Sequence, residues 1–269
     1  QYANVWTRDS FFALLAPVRE QGMRAGRFAD RLRDDMSSSG HVPFTYEDVR
    51  YVPALLCPCL PLAWRRRRRP RPRYRDEKLN RIVCDANAQY VVLVWMALRR
   101  HGDRAWASEH LESVRKALRW YDKLRDARGL VHEQPFGSWE DSLLLDGPVA
   151  FTNVLYCLAV ACARETFPET QDWPVATPDA VLDLVLEPGK IGGVDTVSLA
   201  MVALWGRRMG VGEEGMARVD ASLREAYGKI TPGQAVPNHS RIVPRNRIFF
   251  PLRVIGQGAY HAEWRWAWV

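Results

Sequence analysis

Cysteine is scarce in this sequence, long apolar runs are missing, and outside one short block neither sign of charge dominates. Five cysteines occur among 269 residues: Cys57, Cys59, Cys84, Cys157 and Cys162. An odd number with no second closely spaced pair gives neither a disulfide framework nor a zinc site. Cys57-Pro58-Cys59 is too tight for an ordinary structural disulfide, and Cys157 and Cys162 lie in an apolar helical stretch, where they read as buried thiols. Such usage favours a reducing compartment, so a cytoplasmic location is expected. No stretch approaches ~18 uninterrupted apolar residues, so no membrane partner is expected. Neither a metal nor a cofactor is expected. No secretory leader is read at the start. The chain opens at Gln1 without Met and runs straight into Trp6-Thr7-Arg8-Asp9, as a processed or fragmentary chain would.

The net charge of +7 is concentrated. Arg65 to Arg69, Arg71, Arg73 and Arg75 place eight positive charges within eleven residues, and setting them aside leaves −1. The body is therefore nearly neutral, which excludes a general nucleic-acid surface, and no nucleic-acid partner is expected. The block lies in a segment, residues 53–75, that also holds Pro53, Pro58, Pro61, Pro70 and Pro72. Proline and self-repelling arginine predict an irregular insert here. It reads as a solvated loop, a basic localisation or anion-binding patch, or a stretch foreign to the rest of the gene.

What is present is hydrophobic residue, 47% of the chain, and 11 tryptophans. The length fits one large domain or two small ones, and this content is enough for a sizeable core. Residues 1–269 are expected to form a single, partial catalytic domain interrupted at 53–75. Apolar residues recur at helical spacing over most of it. Helices are predicted at 8–20, 22–36, 87–100, 103–125, 149–167, 178–186, 194–209 and 213–227. Period-2 strands are few, with short extended pieces expected only at Ile242-Val243 and Ile248-Phe249-Phe250. Polar helices alternate with very apolar ones, and variable loops follow every second helix. Apolar helices belong inside and amphipathic ones outside, so the expected fold is all-α, a double ring or α/α toroid. No constant repeat length is found, which argues against a solenoid. Nothing in the pattern fixes an oligomeric state.

Four clusters in or beside loops combine aromatic, charged and amide side chains: Trp6-Thr7-Arg8-Asp9, Asp85-Ala86-Asn87-Ala88-Gln89, Trp139-Glu140-Asp141, and Tyr260-His261-Ala262-Glu263-Trp264-Arg265-Trp266. Each stands at or near the start of a predicted inner helix, and in a toroid those starts converge at one end. Indole faces stack on the C–H surfaces of a sugar, while arginine–carboxylate pairs fork onto its hydroxyls. Each cluster also has a structural reading. Arg8 and Asp9 form a local ion pair at a helix start, Asp85 is an N-cap, His261 is a core histidine, and Ser138 to Asp141 cap the next helix.

Val5-Trp6-Thr7-Arg8-Asp9-Ser10 resembles the W-[TA]-R-D-[ST] signature of the six-hairpin (α/α)6 glycosidases, which include glucoamylases, glycogen-debranching glucosidases and neutral invertases. Gly137-Ser138-Trp139-Glu140-Asp141-Ser142 and the run from Gly147 to Tyr156 are similar to the debranching pattern T-W-M-D-A followed by G-K-x-V-E-x-N-A-L-W-Y. Asp85-Ala86 resembles its A-D-A segment, and Tyr260-His261 to Trp268 its Y-H-N-G-x-x-W-P-W. The resemblance runs in the family's order over nearly the whole chain except residues 53–75. It implies an (α/α)6 toroid, incomplete at both ends, that hydrolyses a glycoside or oligosaccharide, an α-glucoside by preference. It implies that Arg8 and Asp9 bind the terminal sugar and that Asp141 is the general acid, with Glu140 as the alternative. Trp6, Asp85, Trp139, His261, Glu263 and Trp266 would line the sugar site.

His261-Ala262-Glu263 departs from the family's H-N-G, and Ala267 replaces its proline. The family's catalytic base is expected beyond Val269, so a chain ending there should have little activity. The expected reaction is exo-acting and inverting. A carboxylic acid held near Trp139 would protonate the glycosidic oxygen, and a second carboxylate about 6.5–9.5 Å away would activate water. Two other readings stand beside it. One is a non-catalytic toroid that only binds carbohydrate. The other is a sugar isomerase or epimerase using histidines, for which His41, His132, His239 and His261 form no obvious pair.

Overall fold

A short strand, β1 (Asn4–Trp6), runs directly into the first helix, α1 (Thr7–Leu15). The computed structural model describes residues 4–15, 20–50, 65–75, 80–135, 137, 144–187, 195–228, 235–237 and 265–267. After α1 come α2 (Glu20–Asp34), β2 (Thr45–Arg50) and β3 (Arg65–Arg73). Then follow α3 (Asp85–His101), α4 (Arg104–Glu109), α5 (Leu111–Arg119), β4 (His132–Glu133) and β5 (Gly147–Pro148). The described chain continues with α6 (Ala150–Thr166), α7 (Pro178–Leu186), α8 (Thr196–Trp205) and α9 (Glu213–Tyr227), and closes with β6 (Ala235–Pro237) and β7 (Arg265–Ala267).

The helices fall into two rows. In α3, every residue from Asp85 to Ala97 except Trp95 is buried, and α6 is buried almost throughout. Helices that are apolar all round belong inside, and α1 packs on α3, α3 on α6, and α6 on α8 as an inner row. The amphipathic α2 and α5 pack on α3 from outside, α7 packs on α6, and α9 packs on α8. This alternation of inner and outer helices is an all-α toroid. Its buried residues form one continuous hydrophobic cluster.

Local chemistry sets the helix ends. Gly102, at φ +73°, ends α3, and Asp103 starts α4 by accepting from the Trp106 amide at 2.9 Å. Thr177 and Asp195 cap α7 and α8, with Pro178 in the first turn of α7, where its missing N–H costs nothing. The helix expected over 103–125 is broken at His110. That residue is fully buried and turns its ring inward, sharing hydrogen bonds with Tyr90 Oη at 2.8 Å and Asp30 Oδ1 at 3.1 Å.

Two asparagines tie the inner helices to the loops that return from the outer ones. On α3, Asn87 donates to the Gly40 and Ala117 carbonyls and accepts from the Val42 amide. On α6, Asn153 accepts from the Val131 amide at 2.7 Å and donates to the Val131 and Val149 carbonyls, each at 2.9 Å. Tyrosine follows three residues later in both helices, as Tyr90 and Tyr156. Gly40 fits its place because its φ is +84° and a Cβ there would lie 2.4 Å from the Lys116 carbonyl oxygen.

The arginine block corrects an expectation. Residues 65–73, expected to be irregular, form β3, which pairs antiparallel with β2 in a sheet of order β1-β2-β3. An edge strand tolerates proline because its outer side needs no N–H, and Pro72 stands opposite Tyr46. Part of the charge is met by Glu47, opposite Arg71 in register and 3.9 Å from Arg73 Nη1. Residues 51–64, 242–243 and 248–250 lie outside the described residues.

Candidate active site

The first turns of three inner helices meet around a small group of polar side chains. Thr7 anchors the start of α1. Its amide donates to the Phe44 carbonyl at 2.9 Å and its hydroxyl to the Pro43 carbonyl at 2.7 Å. The next residue, Arg8, reaches α3, where its Nε lies 2.5 Å from Asp85 Oδ2. Asp85 is 2% exposed and is the first residue of α3, where the helix dipole favours a carboxylate. It is not the N-cap. Cys84 holds that position and makes no side-chain cap bond. One turn on, Gln89 Nε2 donates to the same Asp85 oxygen at 3.2 Å. Arg8 therefore pairs across the fold with Asp85. Asp9 is exposed, yet the packed chain around it removes enough water to raise its carboxyl above the usual range, against the pull of Arg8.

Glu133 completes the group. It lies on β4 opposite Gly147 of β5, and Thr152, in the first turn of α6, donates its hydroxyl to Glu133 Oε1. Glu133 is 6% exposed. Burial pushes its carboxyl up to about 7; the Thr152 hydroxyl opposes this, the Asp85 charge adds to it, and the Arg8 charge opposes it. Glu133 Oε2 and Gln89 Oε1 are both buried without a hydrogen-bond partner among the described residues. No sequence motif marks Glu133. The available signal is alternation: Val131 and Glu133 are buried and His132 is exposed, which puts the glutamate on the inner face of a short strand.

The β4–β5 pair brackets the segment that carries Trp139-Glu140-Asp141. The segment leaves beneath the start of α3, where Gln134 Oε1 accepts from the Ile82 amide at 3.4 Å. Gly137 is buried there and donates its N–H to the Gln134 carbonyl at 2.9 Å, and a Cβ on it would lie 2.9 Å from the Ile82 carbonyl oxygen. Leu145, beyond that segment in the chain, is buried. Trp139, Glu140 and Asp141 themselves lie outside the described residues, as do His261 and Glu263.

Of the other sequence candidates, Trp6 is half-buried with its ring 5.4 Å from Phe44, on the strand that enters α1. Trp266 belongs to β7, opposite Val236 of β6, and its side chain is outside the described residues. His41 is structural. Its ring stacks on Trp120 at 4.2 Å, its Nε2 shares a hydrogen bond with the Val83 carbonyl at 3.0 Å, and burial lowers its pKa to about 4. His132 is exposed and 3.1 Å from Asp126. Among the described residues no group of three His, Cys, Asp or Glu is placed to hold a metal ion, and no helix is long and apolar enough to cross a membrane.

No protein-family model matches the chain, and no curated protein matches it in sequence. Solved structures do match. A rhamnosidase from Klebsiella oxytoca with rhamnose bound superposes with a TM-score of 0.52 at 14% identity, covering 84% of this chain and 42% of the rhamnosidase. The chain thus spans less than half the length of that protein. At this identity the likeness is one of fold, and it agrees with the helical toroid described above.

Proposed function

We propose that the chain is a glycoside hydrolase domain that binds the terminal sugar of a glycoside at the converging starts of α1, α3 and α6. The observation that carries the reading is the Arg8–Asp85 pair at 2.5 Å with Glu133 behind it, at the neck of the segment bearing Trp139-Glu140-Asp141. Supporting it is the fold likeness to a rhamnosidase solved with rhamnose bound. In this reading Asp141 is the general acid, with Glu140 as the alternative, and it protonates the glycosidic oxygen as the bond to the leaving group breaks. Arg8, Asp9 and Asp85 hold the hydroxyls of the sugar, and Trp6 and Trp139 offer apolar faces. The reaction is exo-acting with inversion, and the substrates are α-glucosides or related oligosaccharides. The rhamnosidase adds α-rhamnosides to the compounds worth testing.

The test is a tryptophan-fluorescence titration with glucose, mannose and rhamnose, alongside turnover of the matching 4-nitrophenyl α-glycosides. The expected result is saturable quenching by one of these sugars and release of nitrophenol from its glycoside. Binding without release supports instead a toroid that only binds carbohydrate. Neither binding nor release overturns the reading.

A further inference from the structure

The arginines of β3 lie outside the polar group at the starts of α1, α3 and α6. Their strand is the edge of its sheet, and among the described residues no strand pairs with its outer side. Cross-strand partners share a face, and Thr45, Glu47 and Val49 alternate along β2, so their partners Arg73, Arg71 and Arg66 share one face of β3. Arg71 is exposed. Where the register shifts, Arg67, Arg68, Arg69 and Pro70 stand against Asp48 alone. At the far end Arg65 stands opposite Arg50, and like charges directly opposed weaken a sheet. β2 supplies two acids, Glu47 and Asp48, which offset only part of the charge. A few charges keep an edge strand from pairing with another chain. Eight within eleven residues go well beyond that need, and their repulsion is relieved by an anion. The strand also has a direction. Trp6 of β1 stands opposite Thr45, and Thr45 opposite Arg73. With strands about 4.8 Å apart, Arg73 is about 10 Å from Trp6 across the sheet. Trp6 leads straight into Thr7 and Arg8, so the basic strand starts beside the first turn of α1 and leads away from it.

We propose that β3 is a strip that binds an acidic polysaccharide, one carrying uronate carboxylates or sulfate esters, along the units that follow the terminal sugar. Guanidinium groups fork onto carboxylates and onto tetrahedral oxyanions. A nucleic acid fits less well. Proteins that hold single strands interleave aromatic rings with their basic groups, and residues 65–73 hold no aromatic side chain. The nearest ring, Tyr74, is engaged elsewhere, its hydroxyl donating to the Asp35 carbonyl at 2.5 Å. Outside the arginine block the chain is nearly neutral, which leaves no broad basic face for a duplex. The register of the bound chain, with its terminal sugar beside α1, rests on the glycosidase reading; the binding of an acidic chain to β3 does not.

The experiment is calorimetric titration of the full chain with hexagalacturonate, a heparin hexasaccharide, maltohexaose and hexathymidylate, each at about 50 and about 300 mM NaCl. One of the two acidic sugars is expected to bind about tenfold or more tightly than both maltohexaose and hexathymidylate, and to lose about tenfold at the higher salt, where exposed charges are screened. Arg71→Gln/Arg73→Gln is expected to weaken that binding about tenfold and to leave maltohexaose unaffected. Arg67→Gln/Arg68→Gln/Arg69→Gln, in the part of the strand outside the paired register, is expected to do the same and stands in if the first variant does not fold. Acidic and neutral sugars bound alike overturn the proposal, as does acidic-sugar binding that neither variant moves. Hexathymidylate bound as tightly as the acidic sugars overturns it in favour of a nucleic acid. Arginine-dependent binding of an acidic sugar with no glycoside turned over leaves the strip standing and the glycosidase reading fallen. Turnover of a neutral glycoside with no acidic sugar bound does the reverse.

Discussion

Arg8 and Asp85, 77 residues apart in sequence, are joined through Arg8 Nε and Asp85 Oδ2 at 2.5 Å, with side chains 19% and 3% exposed. The pair links the first turn of α1 to the first turn of α3 at the end of the inner row where the sugar is proposed to bind. Removing either partner takes the ion pair from a largely desolvated group, and Asp85 then keeps only weaker neutral company such as the Gln89 donor at 3.2 Å. Asp85→Ala should therefore cost roughly 3 kcal/mol, and Arg8→Ala less, because the guanidinium is the more exposed partner. Urea unfolding of both single variants and the double variant measures this, with a double-variant loss well below the sum of the singles as the expected result.

Glu133 and His41 should give the stability curve opposite slopes. Glu133 has a folded pKa of about 7 against an ordinary 4.5, so the folded state binds the extra proton between these values and loses stability as pH rises through them. Glu133→Gln should equal wild type near pH 4 and exceed it by roughly 3 kcal/mol at pH 8. His41, lowered from 6.5 to about 4, does the reverse: its contribution is whole above pH 6.5 and is lost as pH falls towards 4. His41→Gln should fall furthest below wild type at pH 7, with the gap narrowing by roughly 3 kcal/mol towards pH 4. Thermal melts across pH 4–8 read both.

The two asparagine clamps should tolerate little. Asn153→Ala leaves the Val131 amide and the Val131 and Val149 carbonyls short of a buried partner, and Asn87→Ala does the same to Val42, Gly40 and Ala117. Each should cost about 3 kcal/mol or more, since unmet buried groups carry their full desolvation penalty. Asn153→Asp should be no milder, because an ionised carboxylate accepts from Val131 but donates to neither carbonyl. Circular-dichroism melts of the three variants test this.

Gly137 lets the chain leave β4 beneath α3. A methyl group there would meet the Ile82 and Gln134 carbonyl oxygens at 2.9 and 3.0 Å. Gly137→Ala should force these contacts apart and lower the melting temperature by a few degrees, read by circular-dichroism melts beside the wild type.

The helices and their two rows are legible in the sequence because burial in a toroid follows residue type closely: α3 and α6 are apolar all round, and α2 and α5 are not. The residues that start α1 and α3 are legible as clusters, but the Arg8–Asp85 link is not, since nothing local pairs residues 77 positions apart. The break at His110 is hidden because the ring turns inward only when Tyr90 and Asp30 arrive from other helices. β3 runs against local preference; an edge position beside Tyr46 and Glu47 admits proline and arginine in a way that spacing alone does not reveal. Glu133 is missed because a single buried carboxylate in a two-residue strand leaves only one alternation to read.

The most direct test of the proposed chemistry is the rate and stereochemistry of hydrolysis in the wild type and Asp141→Asn, followed by proton NMR of the first sugar released from the preferred α-glycoside. The expected result is a first-formed β-anomer from the wild type and a rate lower by about 10²–10⁴ in Asp141→Asn, with sugar binding retained. An Asp141→Asn chain working at the wild-type rate, or a first product with the α-configuration, would contradict the assignment.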